Sequence, residues 1–301
     1  MADPTDPSKR PARLDVGVVG SGRVGPVLAA ALAGAGHRVV AASGVSERSR
    51  ARAESLLPGV PLTPVPEVVE RADLVLIAVP DDVLPALVSG LAGTETFRAG
   101  QLVAHTSGRH GIAVLEPATR AGALPLALHP VMTFTGQPDD VKRLVGASFG
   151  ITAPEPLRPI AEALVVEMGG EPQWVEEAAR PLYHAALTNG ANYIVTLVAE
   201  SIDLLSRCGV EDPARMLGPL LGAALDNALR DGDLALTGPV ARGDAGTVAA
   251  HVAELKQVSR EATAAYVALA RLTADRALAA GLLEPAAAET LLDVLAGGGG
   301  P

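Results

Sequence analysis

"DVGVVGSGRVGPVLAAAL", residues 15–32, governs how the rest of the chain is read. DVGVV is apolar and rich in β-branched residues, as a short buried strand is. PVLAAALAGAG has the Ala/Leu composition of a helix. Between them stand Gly20, Ser21, Gly22, Arg23, Val24 and Gly25. A second strand, HRVVAAS, follows within about 30 residues, the context that the dinucleotide-binding fingerprint requires. Each glycine has its own task there. Gly20 permits the sharp turn, Gly22 lets a pyrophosphate approach the backbone, and Gly25 lets the helix pack on the sheet. The helix start then offers free N–H groups and a positive dipole end to phosphate, and Pro26 sits where a missing N–H costs little. The plain alternative is a strand–turn–helix with no ligand; the flanking elements favour the nucleotide.

Working outward, the same alternation continues. VPEVVERA reads as a short helix and DLVLIAVP as the clearest buried strand. QLVAHTS, PLALHPV, ASFGITA and EPQWVE read as later strands, with LRPIAEALVVEMG as a helix among them. This rhythm predicts an α/β fold, a doubly wound and mostly parallel Rossmann sheet. Beyond Trp174, Gly and Pro punctuate long Ala/Leu helices without a strand. The expected organisation is a Rossmann domain at 14–175 and an all-α domain at 176–296, between disordered tails at 1–13 and 297–301.

Composition narrows the function classes. Of 301 residues, 49% are hydrophobic and 19% charged, so the chain is globular. Its formal net charge of −10 argues against nucleic acid as a partner. No apolar run is long enough to span a bilayer, and the start of the chain lacks a signal peptide's apolar stretch. Cys208 is the only cysteine, which excludes an internal disulfide and fits a reducing cytoplasm; beside Gly209 at a helix end it reads as a small apolar side chain. Six histidines without metal-site spacing make no case for a metal.

The end of the second strand bears on the cofactor. NAD enzymes place an acid about 20 residues past the glycines, against the ribose 2′-hydroxyl. Here the strand runs VVAASGVSERSR, and the first candidate is Ser43. Ser43, Ser46, Arg48 and Arg50 suit a 2′-phosphate, with Glu47 dissenting. NADP is therefore expected before NAD, although Arg50 also reads as a solvated residue at a helix start. Val79 and Pro80 end the next strand at the sheet edge where ligands lie, and Asp81 or Asp82 is expected to cap the following helix.

Two more strand ends carry polar groups: AHTSGRHG, with His105, Thr106, Ser107 and His110, and LHPVMTFTG, with His129, Thr133 and Thr135. Histidine titrates near neutrality and suits proton transfer to a reduced carbonyl. His129, fixed by Pro130, is the first choice for acid/base, with Ser107 as hydroxyl partner to substrate or imidazole and Thr106 nearby; a packed strand-end histidine is the alternative. His37 reads as a loop residue, and His110 and His251 as exposed. In RPLYHAALTNGANYIVTL, His184, Thr188 and Asn192 form one polar stripe at i, i+4 and i+8, with Tyr183, Leu187 and Ile194 on other faces. The stripe faces either a cleft or another helix. Finally, LTGPVARGDAGTVAAHVAEL leads through turns into a helix near Thr247. Arg242 there suits a substrate carboxylate, or else pairs with Asp244.

GSGRVG, AHTSGRHG, LHPVMTF, LYHAALTNGANY and LTGPVARGD together resemble a bacterial family with a Rossmann-like domain and a C-terminal domain of unknown function, over residues 14–296. More broadly the chain is similar to pyrroline-5-carboxylate reductase, prephenate dehydrogenase, ketopantoate reductase and the β-hydroxyacid dehydrogenases. The resemblance implies an NADP-dependent reductase of a small keto acid, ketopantoate being the named candidate, working as a homodimer. His129-Pro130 and Ser107 match the prephenate dehydrogenase pattern. The β-hydroxyacid enzymes carry a Lys followed by Asn on the helix after the boundary, where this chain has His184 nearby and no Lys; that absence leaves open a regulator that binds NADPH without turning it over.

Overall fold

The computed structural model describes residues 13–298. Seven strands form one sheet: β1 (Asp15–Val19), β2 (Arg38–Ser43), β3 (Leu74–Ile77), β4 (Leu102–His105), β5 (Leu124–Pro130), β6 (Ser148–Thr152) and β7 (Glu171–Trp174). Their order is β2-β1-β3-β4-β5-β6-β7. All neighbours are parallel except β5 and β6, where His129 stands opposite Gly150. The sheet is thus the mostly parallel one that the alternation predicts.

Helices α1 (Gly25–Gly34), α2 (Glu47–Leu56), α3 (Val65–Arg71), α4 (Leu84–Gly93), α5 (Glu116–Arg120), α6 (Asp139–Arg143) and α7 (Arg158–Glu167) connect the strands. Side chains alternate across a strand, so each strand feeds two cores. Val16, Val18, Leu74, Leu76, Leu102 and Ala104 point to the layer that holds Val27, Leu28 and Leu32 of α1 and Leu164 of α7. Val19, Val75, Ile77 and Val103 point to the opposite layer, with Val68 of α3 and Leu84 and Val88 of α4. Aliphatic residues on both faces are what a sheet buried on both sides requires.

The remaining elements are helical: α8 (Arg180–Arg207), α9 (Pro213–Asp231), α10 (Ala245–Val258), α11 (Arg260–Ala279) and α12 (Pro285–Gly298). The chain divides into two compact units between Asn192 and Tyr193, inside α8. Val248, Val252, Val267, Ala274, Leu291 and Leu295 form the core of the second unit. No helix among the described residues is long and apolar enough to cross a membrane.

Several local expectations need correction. The tails lie outside the described residues, except that Arg13 bonds Glu167 at 2.7 Å and that Gly297 and Gly298 complete α12. Neither Asp81 nor Asp82 caps α4: its N-cap is Val83, and the Pro80 carbonyl accepts from the amides of Val83 and Leu84. The helix placed near Thr247 starts at Ala245, because the Asp244 carboxylate takes the Thr247 amide at 3.0 Å and the Thr247 hydroxyl at 2.7 Å. Asp244 is thereby used as a cap, and Arg242 forms no ion pair with it. Cys208 is exposed, and His110, expected to be exposed, is half-buried, with Nε2 3.1 Å from the Asp81 carbonyl.

Candidate active site

The turn after β1 is built around two close approaches. Gly20 has φ +98°, and a side chain there would stand 2.6 Å from the Ala78 carbonyl oxygen. A side chain at Gly25 would run into the Gly20 carbonyl and lie 3.0 Å from Cβ of Ala78. Gly22, by contrast, faces open space, with nothing nearer than 3.9 Å. The end of β2 laces this turn in place. The Ser43 carbonyl accepts from the Ser21 amide at 2.9 Å and the Ser21 hydroxyl at 2.8 Å, while the Ser43 hydroxyl accepts from the Gly20 amide at 3.0 Å. Ser43 is therefore buried beside the turn, its hydroxyl oxygen accepting from the Gly20 amide. Ser46 is the N-cap of α2, its hydroxyl oxygen accepting from the Ser49 amide at 3.1 Å. Arg50 folds back onto the Val45 carbonyl.

The amides of Gly22, Arg23 and Val24 find no backbone acceptor among the described residues, and α1 has no side-chain cap. Free N–H groups at the positive end of a helix, beside a glycine with an open face, fit a diphosphate. Val79 approaches the same turn, its Cγ1 3.1 Å from where a Gly20 side chain would start; Pro80 follows it, exposed.

His129 leaves the end of β5 toward α8. Its Nδ1 lies 2.8 Å from the Tyr183 hydroxyl, and its ring stands edge-on to Tyr183 at 5.6 Å and to His184 at 6.0 Å between centroids. Tyr183 thus does not turn away from the site; it supplies the partner expected of Ser107. Ser107 is buried, and its hydroxyl accepts from the His110 amide at 3.1 Å. The two imidazoles close over Gly108, where a Cβ would sit 2.5 Å from His184 Cδ2 and 2.9 Å from His129 Nε2. A cavity of about 500 Å³ opens beside them. Arg23 and Val24 of the glycine turn line it together with His129, His184, Leu187, Thr188 and Asn192. The polar stripe of α8 therefore faces a cavity, and Leu187 shares that face. Thr106 is half-buried after β4, its amide bonded to the Ile77 carbonyl at 3.1 Å, and does not line the cavity. Arg242 is exposed in the second unit.

Arg180, the first residue of α8, is fully buried. It donates to the Thr152 hydroxyl at 2.9 Å and to the carbonyls of Ser107 at 3.1 Å, Ala127 at 3.2 Å and Gly150 at 2.9 Å. It forms no ion pair among the described residues. Its charge therefore acts outward on its neighbours. Burial, reinforced by Arg180 and His184, pushes the His129 pKa down to about 4, so the imidazole is neutral at pH 7. Burial raises the Tyr183 hydroxyl, and Arg180 and the Gly150 amide pull it back.

His105 is equally neutral, its pKa also about 4 through burial. Both of its nitrogens are taken. Nδ1 accepts from the Ser107 amide at 3.2 Å, so Nε2 holds the proton and donates to the Gly111 carbonyl at 2.8 Å. Among the described residues, no group of three His, Cys, Asp or Glu could hold a metal ion.

Two family models match the chain: a Rossmann-like domain over residues 1–130, and a domain of unknown function, DUF2520, over residues 147–273. No curated protein matches. Among solved structures, a Bacteroides fragilis protein provisionally named an NADP oxidoreductase is similar with a TM-score of 0.73 at 21% identity, over 87% of this chain and 98% of that one. Plasmodium falciparum pyrroline carboxylate reductase with NADP bound gives 0.56 at 14%, over 88% and 98%. A Cupriavidus necator semialdehyde dehydrogenase NAD-binding protein in complex with calcium and NAD gives 0.54 at 20%, over 72% and 83%. At these identities the likeness is one of fold. The chain belongs with the proteins that join a Rossmann-like domain to a DUF2520 domain.

Proposed function

We propose that this protein is an NAD(P)-dependent oxidoreductase that reduces a carbonyl or imine carbon of a small acid, or oxidises the corresponding product. One observation carries the reading: Arg23 and Val24, from the turn suited to a diphosphate, line the same cavity as the paired imidazoles of His129 and His184. Gly20 to Gly25 would hold the cofactor's diphosphate. When bound, a nicotinamide supplies or accepts a hydride. NADP is preferred over NAD, since no acidic side chain stands at the end of β2 and Arg48 lies on the helix that follows. Ketopantoate is the keto acid that the family resemblance offers, and pyrroline carboxylate reductase extends the class to cyclic imines.

The protein's own part is to move a proton. With Tyr183 as donor to Nδ1, His129 carries its proton on Nε2, toward Gly108 and the cavity. As Nε2 gives that proton to the substrate oxygen or nitrogen, the Tyr183 hydroxyl proton passes to Nδ1. The charge left on Tyr183 is met by the guanidinium of Arg180, whose Cζ lies 5.8 Å from the ring centre. His184, Thr188 and Asn192 hold polar substrate atoms.

A homodimer belongs to the same reading. In the second unit, Tyr193, Val195 and Leu197 of α8 and Met216, Leu220 and Leu229 of α9 are exposed, an apolar surface of the kind that marks an interface. The test is titration of the purified protein with NADPH and NADH, followed by NADPH oxidation over a panel of 2-keto acids and cyclic imines. Binding with turnover of one panel class is expected. Failure to bind either nucleotide overturns the assignment, and binding without turnover of any panel member overturns the reductase reading in favour of a regulator.

A further inference from the structure

A second cavity, of about 380 Å³, lies wholly within the second unit, and none of its lining residues lines the cavity at His129. Three helices and a turn enclose it. From α8 come Leu197, Glu200, Ser201 and Leu204, spaced i, i+3, i+4 and i+7, so they share one face. From α11 come Ala265, Tyr266, Leu269 and Thr273, again on one face, and from α10 His251 and Leu255, one turn apart. Val240, in the turn before α10, adds to the apolar lining. A concave, mainly aliphatic space with a few converging polar groups is the usual form of a small-molecule site.

The charge of this lining points to the ligand. No Lys or Arg lines the cavity, and its one carboxylate is that of Glu200. Glu200 is half-buried and forms no ion pair among the described residues. The neighbouring hydroxyl does not serve it either, since Ser201 Oγ donates to the Leu197 carbonyl at 2.8 Å. A carboxylate set into an apolar helix face is costly unless a cation meets it. On the other two helices, His251 Nδ1 lies 2.9 Å from the Tyr266 hydroxyl, with the rings edge-on at 5.8 Å between centroids. That bond holds the Tyr266 ring in the wall, and the face of a tyrosine ring attracts an organic cation.

We propose that this cavity binds a small organic cation, an ammonium group carried on a compact apolar body. Glu200 meets the ammonium, Tyr266 offers its ring and hydroxyl oxygen, and Leu197, Leu204, Leu255 and Leu269 take the hydrocarbon. A carboxylate or phosphate ligand would meet Glu200 with like charge, so the site selects against the anions that suit the first cavity. The proposal goes beyond the oxidoreductase reading and needs no nucleotide.

Calorimetric titration of the full chain without nucleotide decides it, with light scattering on the same samples. The probes are cyclohexylmethylammonium, the neutral cyclohexylmethanol and the anionic cyclohexanecarboxylate. The ammonium should bind, and the other two roughly tenfold or more weaker, as the loss of a charged hydrogen bond predicts. Glu200→Gln keeps the shape of the side chain without its charge, and should weaken the ammonium by roughly tenfold to hundredfold while leaving the alcohol unchanged. Ala265→Leu keeps Glu200 but fills the cavity, and should abolish ammonium binding; it decides the matter should Glu200→Gln melt early. An unaltered protein that does not bind the ammonium, or binds it no better than the alcohol, overturns the proposal. So does an unchanged ammonium affinity in either folded variant. A dimer that falls to monomer in Glu200→Gln also overturns it, because the carboxylate then serves the contact between copies.

Discussion

His105 and His129 end adjacent parallel strands and share a low pKa of about 4. Their surroundings divide them. His105 is wholly buried, and both ring nitrogens are bonded within the Ser107–Gly111 loop. His129 is partly exposed, with Nδ1 bonded to Tyr183 and Nε2 beside the cavity. A depressed pKa therefore does not by itself tell the two histidines apart; what distinguishes His129 is a free nitrogen at a cavity, as the proposed acid role requires.

The largest expected effect breaks the pair apart. His129→Gln should lower kcat by about 10²–10⁴-fold, the usual worth of a general acid, with the thermal midpoint nearly unchanged. His105→Gln should instead cost roughly 1–3 kcal/mol of stability, since the Gly111 carbonyl or the Ser107 amide loses its buried partner. Turnover assays with thermal unfolding on both variants check this; equal kcat losses would dissolve the distinction. Acid unfolding gives a second measure. Both histidines have folded pKa values below their unfolded value, so the unfolded chain binds more protons. Stability is full above about pH 6.5 and falls as pH drops toward 4. For His105 the loss is on the order of 3 kcal/mol, and His105→Gln should flatten that limb.

Gly108→Ala sharpens the comparison from the other side. The added methyl would press on both His184 and His129. A displacement approaching 1 Å can cost about a hundredfold in rate, so kcat should fall by roughly tenfold to a hundredfold. His105→Gln should not reproduce that drop, and an unaltered kcat in Gly108→Ala would mean that the imidazoles do not act where they stand.

The strands, the glycine turn, His129 and the stripe of α8 are legible in the sequence because each rests on local pattern: strand alternation, glycine spacing, helical period. Arg180 is not, since a lone Arg at a helix start looks solvated, and only the closure of β4, β5 and β6 around it buries its charge. Helical period alone puts Tyr183 on the wrong face, because the face that α8 turns to the sheet is set by Arg180 and His129 together. The bond from the Gly20 amide to Ser43 is likewise not legible locally, since it depends on the parallel pairing of β1 with β2, which sets Ser43 opposite Val19. Gly108 carries a signal only in retrospect: glycine between two polar strand-end residues leaves room for something large.

The smallest expected effect tests the relay itself. Tyr183→Phe keeps the ring that packs on His129 and Arg180 but removes the hydroxyl bonded to Nδ1. If Tyr183 only packs, kcat and its pH dependence should both survive. If it reloads His129 through Nδ1, kcat should fall about tenfold, the worth of one such hydrogen bond in the transition state at about 1.4 kcal/mol, while KM holds. The pH profile is the discriminating readout. Tyr183 titrates above its ordinary value because burial outweighs the pull of Arg180, so the unaltered enzyme should lose turnover on the alkaline side as that proton leaves. A phenylalanine ring has no such proton, and the alkaline limb should disappear from the variant. A limb of unchanged position in both proteins would remove Tyr183 from proton transfer and leave His129 to act on its own.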